Sequence, residues 1–337
     1  MNNIIESRKK VWKDLLDDVS SCRNAVTIEC PFENDVRPFP RWDNVDERIE
    51  WNVREYNAQI ERLEWLDDDN IPHVYPYAGT ELFAEAFGCK VHYPDNDMPF
   101  AIHMLDDYSE ISKLKVPSIW DTKLSILFDI THKLKERTDK NAIIRLPDIQ
   151  SPMDIAALIL DKQLFYMSFI EESELIEELA YKTRTLLIEF LDEWFKEFGT
   201  EFIAHHPYYY MNGGITFSED EVGCISDNMF NEYFTEGIEQ LTSKYGTIGI
   251  HCCANARHQW ENFKKVPNLK FLNIEQPKEV VEEANEFFKD TCIMVHTLKP
   301  HYDVSSWVTK FSDTKMIINV ISSDRDDALR NLEKYKG

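Results

Sequence analysis

Glycine is scarce, with ten residues in a chain of 337. No flexible linker divides the sequence, and no G-x-G-x-x-G follows an apolar run, so the dinucleotide-binding form of an open α/β sheet has no support. Cationic residues are short as well: 37 Lys and Arg face 61 Asp and Glu, a formal net charge of −24. A nucleic-acid binder needs a basic stripe to displace counterions from phosphates, and docking on an anionic membrane needs Lys and Arg clusters. Neither partner is expected. No run of 18 apolar residues offers a membrane span, and no apolar stretch of a signal peptide follows Met1. Seven cysteines, an odd number, lack the spacing of a disulfide scaffold, which leads to the expectation of a reducing cytoplasm. What is present is ordinary globular material, 43% hydrophobic and 12% aromatic, so the acidity belongs on solvated faces and says little about fold.

Periodicity supplies the architecture. Residues 43–66 carry apolar side chains at helical spacing among many charges, which predicts a surface helix. Residues 172–198 form the clearest helix, closed by Gly199. From residue 247 the alternation is quick. Strands are expected at Thr247–His251, Leu269–Ile274, Cys292–Thr297 and Met316–Ile321, each followed by a helix. Ala142–Leu146 and Phe202–Ala204 bring the count to six. Successive βα units argue for a parallel sheet covered by helices, and the count favours a (β/α)8 TIM barrel. Residues 1–66 are assigned to an N-terminal helical extension and 67–337 to the barrel. His205–Gly223 reads as a long loop, with Ser226 capping the helix after it.

In a parallel barrel the chemistry gathers where strands end. One strand ends in His251-Cys252-Cys253-Ala254-Asn255, the next in Glu275, the third near His296 and the last at Ser322. His251 and Cys253 sit two residues apart, so both side chains can point to one side of the sheet. Imidazole nitrogen and thiolate sulfur are preferred zinc ligands, and Glu275 supplies a candidate oxygen. The alternative is a hydrogen-bonded strand-end histidine beside two buried cysteines. His205, His206, Tyr208 and Tyr210 follow the Phe202–Ala204 strand; with Asn255 and Ser322 they are candidate substrate contacts, or else packing around the mouth. Glu219 and Asp220 are candidate general acid and base, against the alternative of a solvated acidic loop.

These residues carry a resemblance. Ile225–Phe230, a helix, and then Ile248–Asn255 resemble the uroporphyrinogen decarboxylase superfamily, and within it the zinc- and cobamide-dependent methyltransferases. Leu146–Ile155, Asp69–Pro72 and Tyr77–Gly88 agree with it, so the likeness spans roughly residues 60–335. It implies a barrel with its site at the C-terminal mouth, zinc on the H-x-C pair, and a methyl group passed between a small substrate and a corrinoid (cobalamin) carried by a partner protein. His251 and Cys253 match the pair, and Glu275 stands where a related synthase places a carboxylate ligand. The cysteine expected on the last strand is missing, for the sequence reads Asn319–Ser322 there; His296 or a substrate heteroatom is the replacement considered. Two other functions compete. A cofactor-free decarboxylase would bring basic residues to the mouth, Arg145, Arg184 and Arg257 being the candidates. A non-catalytic barrel would bind a small molecule or a partner without metal.

Overall fold

The structure, a computed structural model, describes residues 2–17, 23–298, 305–312 and 314–336. Its strands in chain order are β1 (Ala25–Glu29), β2 (His73–Val74), β3 (Lys90–His92), β4 (Phe100–Ile102), β5 (Ile143–Arg145), β6 (Glu201–Ile203), β7 (Tyr210–Asn212), β8 (Ile215–Ser218), β9 (Ile248–Cys252), β10 (Leu269–Ile274), β11 (Ile293–Leu298) and β12 (Met316–Ile321). One sheet runs β1-β12-β11-β10-β9-β8 and a second runs β2-β5-β6-β7. Within these two sheets every pairing is parallel except β6 with the short return strand β7, while β3 and β4 form a separate antiparallel pair. Helices alternate with the strands, the longest being Ser173–Phe198. This is the expected (β/α)8 barrel.

Two seams close it. On one side the chain continues past β5, where Ser218 donates its N–H to Ile149 and Ser151 donates to Ser218, both at 2.8 Å. On the other, one backbone bond, from Asp69 N–H to the Val26 carbonyl at 2.7 Å, is supplemented by the side chains of Asp68 and Asp69 in place of a ladder. Asp69 accepts from Val26 N–H at 2.8 Å and Asp68 from Ile28 N–H at 2.9 Å. Both carboxylates are buried, and each has a guanidinium counterion, Arg8 at 2.8 Å from Asp68 and Arg23 at 2.6 Å from Asp69. Trp12, fully buried, donates its indole N–H to the Asp69 carbonyl at 2.8 Å. The helix Asn2–Leu16 is thereby pinned to the barrel.

The structure redraws the boundary at residue 66. Ala25–Glu29 pairs along its whole length with β12, so a barrel strand lies inside the segment assigned to an extension. Its five residues, AVTIE, carry too short a pattern to announce a strand. The expected loop His205–Gly223 likewise holds β7 and β8, both buried for most of their length. The helix after Ser226 is capped as expected, with Met229 N–H donating to the Ser226 hydroxyl at 3.2 Å. It contains a π turn at Phe230–Phe234 before continuing to Tyr245.

Strand register lines up the polar interior. Ser218, His251 and Asn273 are neighbours across β8, β9 and β10. Thr297, Asn319 and Thr27 are neighbours across β11, β12 and β1. These rows, near the C-terminal ends, form the floor of the site.

Candidate functional site at the barrel mouth

Two cavities meet at the mouth. One, of about 360 Å³, runs between β1 and the covering helix Val45–Arg62. The other, of about 320 Å³, lies over the strand ends and is lined by Asp148, His205, His206, Thr297 and Asn319 among others. They share Glu29, Arg37, Tyr75, Arg145, Tyr208 and Ile321.

Arg145, the last residue of β5, divides them. Its guanidinium lies between two tyrosine rings, 4.0 Å from the centroid of Tyr75 and 3.6 Å from that of Tyr208. It donates Nε–H to the His205 carbonyl at 3.0 Å, and Nη2 donates to the same oxygen. Arg37 sits 4.5 Å from the Tyr77 ring. Burial raises the pKa of the Glu29 carboxyl, and Arg145, Arg37 and a Tyr208 hydrogen bond pull it back. Asp148 is pushed up to about 7 by burial, against the pull of Arg145. His205 is driven the other way, well below its ordinary value, by burial and by the neighbouring histidines. It is therefore neutral, with Nε2 at 3.1 Å from the Ser218 hydroxyl.

His251 and Cys253 both reach the rim. The His251 ring meets His206 edge-on, with centroids 4.8 Å apart. Its Nδ1 is 2.6 Å from Asn273 Oδ1, while Asn273 Nδ2 donates to the Val295 carbonyl at 2.7 Å. A carbonyl can only accept, so the amide orientation is fixed, and Nδ1 must carry the proton. The lone pair of His251 is then on Nε2. Asp220 accepts from the Cys253 backbone N–H at 2.6 Å and from its thiol at 3.0 Å. Burial and this carboxylate push the Cys253 thiol up to about 12.

The acidic loop is not a solvated one. Glu219 is 1% exposed and its carboxyl is driven far upward by burial, then by Asp154. Asp154, also buried, is raised to about 8, and it accepts from the backbone N–H groups of Asp220 at 2.9 Å and Glu221 at 3.0 Å. Burial and the neighbouring carboxylates thus favour the protonated form of both. Together the two residues fix the loop that places Asp220 on Cys253.

The other expected site residues go elsewhere. Alternation along β11 turns Thr297 toward the mouth and His296 away from it. His296 is 3% exposed, bonded at 3.2 Å to Asn285 of the helix Lys278–Phe288, and edge-on to Trp307. Glu275 lines a small pocket with His296 and Thr297, and its backbone N–H donates to the Cys252 carbonyl at 2.9 Å. Among the described residues no group of three or more His, Cys, Asp and Glu is arranged to hold a metal ion. Tyr210 lies at the opposite end of the barrel, where its hydroxyl meets Glu201 at the start of β6 and Lys9 ion-pairs with that carboxylate at 2.8 Å. Asn255 is exposed, beside the pocket above helix Trp260–Phe263. Ser322 lines the β1 cavity, its hydroxyl accepting from Asn331 at 3.0 Å. Tyr208, His205 and His206 are at the mouth as expected. Of the three arginines considered, only Arg145 is there; Arg257 is paired on the surface with Glu283. Glu29, Arg37 and Arg62 are lining residues for which the sequence carried no motif, whereas Asp148 lies in the Leu146–Ile155 stretch that carries the resemblance.

The family model for uroporphyrinogen decarboxylase matches residues 74–300. Among solved structures, a methyltransferase from Methanosarcina mazei superposes with a TM-score of 0.69 at 12% identity, covering 98% of this chain and 97% of that one. Such a likeness speaks for the fold. No curated protein sequence matches. No helix among the described residues is long and apolar enough to cross a membrane.

Proposed function

The chain belongs to the uroporphyrinogen decarboxylase family, and on that premise we propose that it moves a methyl group between a small substrate and a corrinoid held by a partner protein, assisted by zinc. The observation that supports this is the fixing of His251. An imidazole whose Nδ1–H is tied to a carbonyl oxygen presents Nε2 as a lone pair, the way metal-bound histidines are held. His251 and Cys253 would hold the ion. Asp220, already 3.0 Å from the sulfur, would add an oxygen once these side chains close on the ion, and the substrate heteroatom would complete the set. A thiol kept protonated by a neighbouring carboxylate is a pair that a divalent cation suits, since the ion replaces the proton between them. When bound, zinc supplies Lewis acidity, which lowers the pKa of a thiol or hydroxyl.

The rest falls to the chain itself. Arg145, held by Tyr75 and Tyr208, keeps the two cavities open against each other and anchors the loop carrying His206. The Asp154–Glu219 pair holds Asp220. Metal analysis of protein purified without chelators tests the reading, together with loss of the methyl–cobalt absorbance of methylcobalamin in the presence of simple thiols. One zinc per chain is expected, with both zinc and demethylation lost in His251→Ala and Cys253→Ala. Metal-free protein, and variants that demethylate at the parent rate, would sink it.

A second reading, cofactor-free decarboxylation, draws on Arg37, Arg62 and Arg145 lining the joined cavity, where guanidinium groups suit a substrate carboxylate. Glu29, Glu55 and Asp148 line the same walls, which disfavours a polyanion.

A further inference from the structure

The cavity over the strand ends contains a concentration of unmet hydrogen-bonding capacity. Four of its lining side chains carry buried polar atoms that make no hydrogen bond: Asp148 Oδ1, which has only a long 3.5 Å contact with His205 Nε2, and His205 Nδ1, Thr297 Oγ1 and Asn319 Oδ1. Buried polar atoms are almost always paired, so four orphans around one cavity call for an occupant.

Three of the four are acceptors. Asn319 spends Nδ2 on the Tyr208 carbonyl at 2.8 Å and on the Thr27 hydroxyl, so the free atom is its carbonyl oxygen. Asp148 offers a carboxylate oxygen. Nε2 of His205 faces the Ser218 hydroxyl and lies 3.5 Å from Asp148 Oδ1. Its proton belongs on that side, which leaves Nδ1 as a lone pair. Thr297 can accept as well. A ligand group that meets these atoms must therefore donate hydrogen bonds rather than accept them, and tolerate a carboxylate. A hydroxyl brings one donor; a primary ammonium brings three and a positive charge.

The tyrosines narrow the choice further. Aromatic walls commonly bind methylated ammonium ions through their ring faces. Here those faces are occupied: Arg145 covers Tyr75 and Tyr208, and Arg37 covers Tyr77. What remains for a ligand is the acceptor floor. We propose that this cavity binds the primary ammonium group of a small-molecule substrate, through N–H donors to Asp148, Asn319, Thr297 and His205, and discriminates against quaternary ammonium. This rests on the mouth being the substrate site, and it needs neither zinc nor corrinoid.

Titration calorimetry with ethanolamine, choline and ethylene glycol tests it, on protein with and without prior EDTA treatment. Ethanolamine is expected to bind saturably in both preparations, choline and ethylene glycol at least about tenfold more weakly, the size of one charge-assisted hydrogen bond. Asp148→Asn should cost about tenfold for ethanolamine, and the near-isosteric Thr297→Val a smaller loss, in protein whose circular dichroism matches the parent. Equal affinity for ethanolamine and choline overturns the proposal, as does the absence of saturable ethanolamine binding, which would mean that water alone fills the cavity. Ethanolamine binding that survives EDTA while methyl transfer is never found would refute the methyltransferase and leave the ammonium site standing.

Discussion

Stability should fall as the solution goes from pH 7 to pH 8, and the buried carboxyls set the size of the fall. Glu81 is 2% exposed and its pKa is raised by burial to about 8. Asp154 stands at about 8 for the same reason, titrating jointly with Glu219. Asp148 and Glu55 reach about 7. In the unfolded chain all of these titrate near 4, roughly the ordinary carboxyl value. The sign follows from the proton count. Between the unfolded and folded values the native state holds protons that the unfolded state has shed, so raising the pH favours unfolding. A group protonated throughout contributes about 1.4 kcal/mol per pH unit. Glu81 and Asp154 are partly titrated over the interval and together contribute about 2 kcal/mol, with a smaller addition from Asp148 and Glu55. The opposing groups are buried neutral histidines, His73 lowered to about 3 and His296 to about 4. They favour folding as pH rises toward the unfolded histidine value near 6.5, roughly, and contribute little beyond 7. Buried thiols extend the decline past the ordinary cysteine range, Cys89 being raised to about 11 and Cys292 to about 12. Urea unfolding at half-unit pH intervals reads the slope. Glu81→Gln should remove about 1 kcal/mol of the fall between pH 7 and 8. A midpoint that stays flat or climbs across that interval, in parent and variant alike, refutes the argument.

Three substitutions probe other parts of the frame. Asn273→Leu frees the His251 ring and should lower methyl transfer and zinc affinity by about 10–100-fold; an unchanged rate, with the His251 tautomer unaltered by nitrogen NMR, would show that Asn273 does not orient it. Asp69→Ala removes the acceptor for Val26 N–H and the partner of Arg23, and a loss of about 3 kcal/mol in urea unfolding is expected; a loss below about 1 kcal/mol means that the β1–β2 seam is held by other contacts. Gly249→Ala on β9 puts a methyl group onto the Tyr209 hydroxyl, which is bonded to Thr216 at 2.8 Å. The overpacking should cost about 1–3 kcal/mol, with Tyr209→Phe recovering part of it; an alanine variant as stable as the parent would contradict that packing.

The second half of the barrel was legible because each strand is a continuous apolar run beside an amphipathic helix. β9, β10, β11 and β12 fall within a residue or so of the expected limits, and the H-x-C pair lands at the strand end that the pattern gave it. The first half was harder for physical reasons. β2 is two residues long, and β1 makes its seam contact through one backbone bond and the Asp68 and Asp69 side chains rather than a ladder. Sequence periodicity carries no sign of such a staple. His296 failed for a different reason. Strand parity decides which of two neighbours faces the mouth, and only the pairing of Thr297 with Asn319 fixes it. Glu29, Arg37 and Arg62 belong to no motif because their meeting with Arg145 and Asp148 is tertiary.

The overall charge gave the least guidance where the site is concerned. A chain at −24 suggests an acidic mouth, yet three arginines line the two joined cavities. Those arginines are not free cations awaiting an anion. Arg145 is spent on two tyrosine faces and the His205 carbonyl, Arg37 on Tyr77, and Arg62 reaches Glu55 at 3.4 Å. Each thereby uses up an acceptor or an aromatic surface otherwise open to a ligand. Selectivity then falls to the groups left over, which are neutral or negative acceptors on β11, β12 and the segments after β5 and β6. A mouth rich in arginine can in this way prefer a hydrogen-bond donor, and it is the unpartnered atoms, not the sum of charges, that say what it will take.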